Sequence, residues 1–306
     1  MIDMNGIDFT GMEPRLFLSS VPVSIEVPVV CVRPGDFTGD NNVDLDDFCK
    51  LKADVIPNTP GLNILANVEA MRLNWGPATG IPISADPYIG NDAATYTRIV
   101  GSLFVDGAAP EDVRQGKIGD CYFLAVLAAL ADTDPDLMTH HIALLGDGTF
   151  IARFAFDGEP EIIRMNVTLP TIDGKLLFAK TPGGELWVAL YERAFAEARY
   201  HLSSYPSLNA GWPSGAFDAI LDDPGQSEWV VNIDPATDIP ALLDAGYAVT
   251  LASRVDASSP VIGNHVYAVT GADADGLETY NPHGHYVTFT WAEIQAGFRL
   301  VTAVQT

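Results

Sequence analysis

The sequence predicts a mixed α+β protein with two lobes and a small separate segment ahead of them. Three observations carry that expectation. The chain has 306 residues, 48% of them hydrophobic, enough to build a sizeable core. From about residue 96 onward helical patterning comes first and alternating, strand-like patterning dominates later. Before residue 96 the composition changes twice, first into an acidic stretch and then into one rich in Pro, Gly, Ala and Asp.

In chain order, residues 1–34 read as an N-terminal extension with a strand-like "VSIEVPVVCV", 35–76 as a compact acidic segment and 77–95 as a linker. Residues 96–306 read as the main domain, dividing at about 205 into a first lobe, 96–205, and a second, 206–306. Helices are expected over 121–131, 185–199 and 238–245. Strands are expected at "TFIARFAF", "EIIRMNVTL", "EWVVNI", "YAVTLAS", "HVYAVTGA" and "YVTFTWAE". "GAFDAILDDPG" reads as a loop. Trp187, Leu190 and Phe195 read as the buried face of a helix, and His140 and His141 as surface residues at a helix end. A metal reading of His283 and His285 lacks a third ligand nearby.

Charge narrows the function. Forty acidic residues against sixteen basic ones give a net charge of −24. A nucleic-acid footprint needs a basic face, so that class is excluded, whereas divalent cations and basic substrates suit such a surface. Three cysteines, Cys31, Cys49 and Cys121, do not make a disulfide framework. No stretch reaches the roughly 18 apolar residues of a bilayer span, and the N-terminus lacks the basic start and apolar run of a secretion signal.

The acidic stretch reads as a twelve-residue calcium loop. Asp36, Thr38, Asp40, Asn42 (through its carbonyl), Asp44 and Asp47 fall at the spacing that surrounds a calcium ion with oxygens. Asn41 stands where the pattern prefers Gly and tolerates the left-handed backbone needed there. The loop resembles those of dockerins and related EF-hand-like bacterial modules, which end in Asp. A single loop without a partner binds weakly, in the range of about 10⁻⁴ to 10⁻³ M seen in extracellular modules. That leans the expected location toward the exterior or the cell surface, with the cytoplasm as the alternative.

The third cysteine begins the apolar run "CYFLAVLAALA". A helix opening there would be capped by Asp120, and its N-terminal field favours thiolate over thiol. Burial works the other way, so an active thiol needs a base. His265 lies 144 residues on, in a strand of alternating pattern, and Asn281 follows 16 residues later at a strand end. The order Cys, His, Asn at these distances is that of papain-like thiol proteases, in which the His takes the thiol proton and the Asn orients the ring. Gln115, six residues before Cys121, could supply a side-chain N–H to an oxyanion hole beside the Cys121 backbone N–H.

Four segments then show a family resemblance. "FVDGAAPEDVRQGKIGDCYFLA" resembles the calpain signature around the nucleophile. "GNHVYAVTGA" and "YNPHG" are similar to the calpain segments around the His and Asn, and "ELWVALYERAFAE" to a calpain helix. They occur in family order over residues 103–284. The resemblance implies a papain-like, two-subdomain cysteine protease core with a central nucleophile helix and a β-rich second lobe, hydrolysing internal bonds of protein or peptide substrates. It also implies calcium: by position Val105 and Gly107 would give carbonyls and Asp112 a carboxylate. The further acidic ligand is expected after the 185–199 helix, where "HLSSYPS" has none. A second calcium site, after Asn281, is expected to be absent. Tyr122 and His283 stand where calpains have Trp, and Asn264 where Gly is usual, so a Trp-wedge gating of the cleft is not expected. Two rival readings remain. A transglutaminase-like acyl transferase normally completes Cys and His with Asp. A catalytically silent calcium-binding surface protein has no need of Cys121, His265, Asn281 and Gln115 together.

Overall fold

The computed structural model describes residues 81–306 except 157. The acidic segment and its six expected calcium ligands, Asp36, Thr38, Asp40, Asn42, Asp44 and Asp47, lie outside the described residues, as does the strand-like stretch before them.

Helices and strands mix as predicted. Strand β1 (Thr95–Arg98) precedes the first long helix, α1 (Cys121–Thr133), and the short α2 (Pro135–Thr139). An antiparallel sheet of β2 (Ile142–Leu144), β3 (Thr149–Phe156) and β4 (Glu159–Asn166) follows. Strands β5 (Thr168–Ile172) and β6 (Lys175–Leu176) join β1 in a second three-stranded sheet. Helix α3 (Trp187–Ala198) and helix α4 (Pro213–Leu221) then lead into the strand-rich half. There β7 (Gln226–Trp229), α5 (Pro235–Asp244), β8 (Tyr247–Ser253), β9 (Val266–Ala272), β10 (Gly276–Asn281), β11 (His285–Thr290), α6 (Trp291–Gly297) and β12 (Phe298–Gln305) form one antiparallel sheet with two helices. Its strand order is β11-β10-β9-β8-β12-β7.

Helix α1 has no polar face. Residues 122–131 are all buried, as a helix apolar on every side must be. It packs against α4 and against β8 and β9 of the large sheet. Its core includes a stack of rings, Phe123 on Phe195 at 4.1 Å and Phe154 on Tyr191 at 4.6 Å. Trp187, Leu190 and Phe195 sit fully inside this cluster, as expected. A second cluster, built from Val249, Leu251, Tyr267, Phe289, Ile294 and Phe298 among others, lies between the sheet and helices α5 and α6.

Several expectations need correction. "GAFDAILDDPG" is not a loop: Pro213 opens α4, its fixed φ suiting a first helical position, and Asp222 closes it in the left-handed region at φ 60°. "EWVVNI" is a strand only to Trp229 and then tightens into a 3₁₀ turn. "YVTFTWAE" ends as a strand at Thr290, whose hydroxyl caps α6 by accepting from Glu293 N–H while the Glu293 carboxylate accepts the Thr290 N–H. His141 is buried, with Nδ1 2.9 Å from the Leu137 carbonyl and Nε2 3.1 Å from that of Ile220, tying the end of α2 to α4. The described part of the linker stretch, 81–95, is pinned to the main domain. Ile83 bridges to Arg164, Tyr88 bridges to Ser204, and Asp86 ion-pairs with the buried Arg193.

Candidate active site

Cys121 is the first residue of α1. The loop before it is held by close approach. A Cβ on Gly116 would lie 1.9 Å from the Phe178 carbonyl oxygen, so only glycine fits there. Lys117 N–H donates to the Leu177 carbonyl at 3.0 Å and Gln115 N–H to the Pro282 carbonyl at 2.7 Å. The second bond fixes Gln115 one residue from Asn281. Tyr280, just ahead of Asn281, donates its hydroxyl to the Val113 carbonyl at 3.0 Å. The nucleophile loop and the end of β10 are thereby fastened together.

Cys121, His265 and Gln115 line one cleft of about 490 Å³. Asn281 is buried behind the histidine, 1% exposed. Its Oδ1 accepts the His283 backbone N–H at 2.9 Å, which settles which end of the carboxamide faces the ring. His265 Nε2 lies 2.8 Å from the same Oδ1 and must therefore be the donor. That tautomer leaves Nδ1 with the lone pair of a base. The His283 ring sits 4.7 Å from the His265 ring, tilted 35°, and Tyr267 meets it edge-on at 5.0 Å. Asn264, at the position where Gly was expected, adopts φ 54°, a left-handed conformation that Asn tolerates better than most residues.

Burial dominates the site's electrostatics. It pushes the Cys121 thiol up to about 11, with the Asp120 charge adding to the rise and the Val266, Tyr122 and Cys121 backbone opposing it. It pulls His265 down to about 4, against the Asn281 hydrogen bond, while His283 and His285 add to the fall. The resting form is neutral thiol with neutral imidazole. Among the described residues no hydrogen bond joins Cys121 to the His265 ring.

Two positions differ from expectation. Asp120 occupies the N-cap position of α1 but makes no side-chain cap. It is fully buried and faces Glu192 of α3, also buried, and burial raises both carboxyls, Asp120 to about 6 and Glu192 well above its usual range, so that the pair favours holding a proton. Glu192 also accepts the Ala179 N–H at 3.1 Å. Gln115 donates its amide N–H groups inward, to the Ile118 carbonyl at 2.7 Å and to Asp120 Oδ1 at 3.2 Å. Its Oε1 is buried without a partner. Gln115 thus stands at the cleft with its donors turned into the loop.

Of the positions that the resemblance implied for calcium, Val105 and Asp112 adjoin one carboxyl, that of Glu185. Glu185, not singled out from the sequence, lies two residues ahead of α3 and beside Asp112, whereas the acid implied by the resemblance was expected after the helix. Its carboxyl is raised to about 7 by burial first and then by the charges of Asp112 and Asp106, and it accepts from the Val105 backbone. Glu185 Oε2 is buried with no hydrogen-bond partner. Asp112 Oδ2 accepts from Ala109 N–H and from Trp187 Nε1–H, each at 2.9 Å. The run "GGELW" carried the signal: an acid at the mouth of the helix whose first Trp hydrogen-bonds Asp112. Among the described residues no group of three or more His, Cys, Asp or Glu forms a metal cluster. Any ion here would draw on carbonyls as well as the two carboxylates, a hard oxygen set that fits calcium.

A thiol at a helix mouth, an imidazole freed at Nδ1 and a carboxamide behind it make the kind of site that thiol peptidases carry. The comparison with known proteins agrees. The model of the calpain family cysteine proteases matches residues 97–275. The chain belongs to that family. It is 30% identical over 190 residues to the calpain-1 catalytic subunit of Sus scrofa, covering 56% of this chain and 26% of the relative. It is 32% identical over 213 residues to calpain-5 of Caenorhabditis elegans, covering 59% and 32%. The matched regions thus span about a quarter to a third of these curated relatives. Cys121 and His265 fall inside the family match; Asn281 falls beyond it.

Proposed function

We propose that the chain is a cysteine endopeptidase with a papain-like two-subdomain core, in which Cys121 is the nucleophile, His265 the acid and base, and Asn281 the group that orients the ring. The observation that carries this reading is the His265–Asn281 bond, which leaves Nδ1 basic in the cleft that Cys121 lines. In the reaction Nδ1 takes the thiol proton as sulfur attacks the scissile carbonyl. The imidazolium then protonates the departing amine, leaving a thioester. Water gives its proton to Nδ1, attacks the thioester, and releases the acid and the thiol. The developing oxyanion takes the Cys121 N–H, and a half-turn of the Gln115 carboxamide adds a second donor. Proton transfer first requires the thiol and ring to close into hydrogen-bond contact.

Calcium, where bound, would neutralise the mutually repelling carboxylates of Asp112 and Glu185 with help from the Val105 and Gly107 carbonyls. That would stiffen the loop leading to Gln115. The loop at 36–47 is proposed as a second, accessory calcium site.

Cys121→Ala tests the assignment. The variant is expected to fold as the parent does, because Ala suits a helix start, and to lose casein cleavage entirely. Cleavage by the purified variant at the parental rate would overturn the assignment of the nucleophile.

A further inference from the structure

The cleft differs from the rest of the molecule in charge. The chain carries a net charge of −24, yet among the described residues no Asp or Glu lines the cleft beside Cys121. Among those lining residues the one permanently charged side chain is that of Arg299, from β12. The two histidines that share the lining, His265 and His283, are both pulled down by burial and are neutral near pH 7. Among the described residues Arg299 is therefore the cleft's only cation at that pH.

Arg299 is also unspent. Its guanidinium carbon lies 4.7 Å from the centroid of the Trp212 ring, and the indole is 47% exposed. Its Nε–H is buried without a hydrogen-bond partner. Among the described residues no carboxylate ion-pairs with it. By contrast Arg164 and Arg193 each hold an aspartate. An arginine that only had to fill space in so acidic a chain would find a carboxylate easily. Stacking on the indole fixes the plane of the fork while leaving its edge donors free, which is how guanidinium groups are prepared for bidentate carboxylate binding.

We propose that Arg299, held against Trp212, is a specificity-determining residue that selects substrates with an aspartate or glutamate side chain close to the scissile bond. This rests on the endopeptidase reading above. The body's negative charge acts against acidic substrates at long range, but it is screened over about 8 Å at physiological salt. Contact inside a partly desolvated cleft is screened far less and decides the preference.

The test uses the full chain and a positional library of internally quenched peptides, followed by matched Glu and Gln peptides at the best position. The parent should favour Glu over Gln about tenfold in kcat/KM. Arg299→Met should bring that ratio close to one, and Arg299→Glu should reverse it in favour of Lys. Should Arg299→Met lose cooperative thermal unfolding, Trp212→Leu at its exposed position carries the test. Freed from its stacking surface, the guanidinium should lose several-fold in the same ratio. A parent with no acidic preference at any position, or a preference that survives Arg299→Met, overturns this proposal alone. A parent that cleaves no peptide and whose Cys121 resists an epoxide thiol-protease inhibitor takes down the endopeptidase reading with it.

Discussion

At the scale of single residues, His265 and Cys121 rest as a neutral pair, and this predicts how the thiol reacts. With the thiol raised to about 11 and the imidazole lowered to about 4, thiolate becomes more abundant as pH rises toward 11. Inactivation by iodoacetamide should therefore be slow at neutral pH and keep rising beyond about pH 9. A preformed thiolate–imidazolium pair would instead give a plateau from about pH 5 upward, and such a plateau in the chelated protein would refute the neutral resting state. Mutation should separate the two supporting groups. On the proposed mechanism His265→Ala removes the proton carrier and should match the loss in Cys121→Ala, whereas Asn281→Ala should retain measurable turnover because it removes only orientation. If His283→Ala were the silent variant instead, the histidine would be misassigned. These residues were legible in the sequence because their chemistry depends on type and order: a thiol ahead of an apolar run, a His in a strand, an Asn at a strand end. Glu185 was not found because its role depends on which end of α3 meets Asp112. Arg299 was missed for a similar reason, as only folding sets β12 beside the cleft.

At the scale of elements, the contact that sequence could not supply is the one beneath the nucleophile. Asp120 looked like a helix cap, but a carboxyl-bearing neighbour 72 residues away on α3 turns it inward. That contact has a consequence for stability. Asp120 titrates near 6 in the fold against about 4 in the unfolded chain, and Glu192 is raised further. A pKa raised by folding means that the fold binds protons more tightly. This contribution is complete below about pH 4 and is lost as pH climbs through 6 and beyond. Glu192→Gln keeps a hydrogen for Asp120 without needing a proton from solution. Its melting temperature should therefore gain on the parent's as pH rises from 5 to 8, by several degrees. An equal offset between the two proteins at every pH would mean that no proton is shared. The helices themselves were easier to foresee. α1 and α3 carry continuous or periodic apolar patterns, whereas α4 contains Gly215 and is followed by "DDPG", turn signals that masked a nine-residue helix.

At the scale of the whole molecule, the proposed reading assigns calcium to two places, and the two can be told apart. The proposed loop at 36–47 rests on spacing alone, because a calcium loop is local and its ligands follow one another in sequence. The second proposed place is not local: Val105, Gly107 and Asp112 come from one loop and Glu185 from the mouth of α3, and only folding sets Glu185 beside Asp112. The two should behave differently. Five carboxylates within twelve residues, four of them at the proposed ligand positions, repel one another without an ion, so the 36–47 loop should gain order on binding, while turnover stays the same. The pair Asp112 and Glu185 adjoins the stretch that carries Gln115, so an ion there should raise turnover. Calorimetry on the parent should show two binding events. Asp36→Ala/Asp47→Ala should lose one of them with casein cleavage preserved. Glu185→Gln should lose the other, and its cleavage should fall several-fold and no longer respond to chelator. Glu185 also titrates near 7 in the fold, so proton and ion compete for one oxygen pair. Calcium activation should accordingly weaken as pH drops from 8 to 6, and this dependence should vanish in Glu185→Gln. Chelator-sensitive cleavage that persists in Glu185→Gln and disappears in Asp36→Ala/Asp47→Ala would reverse the roles, making the N-terminal loop the regulator of the protease core.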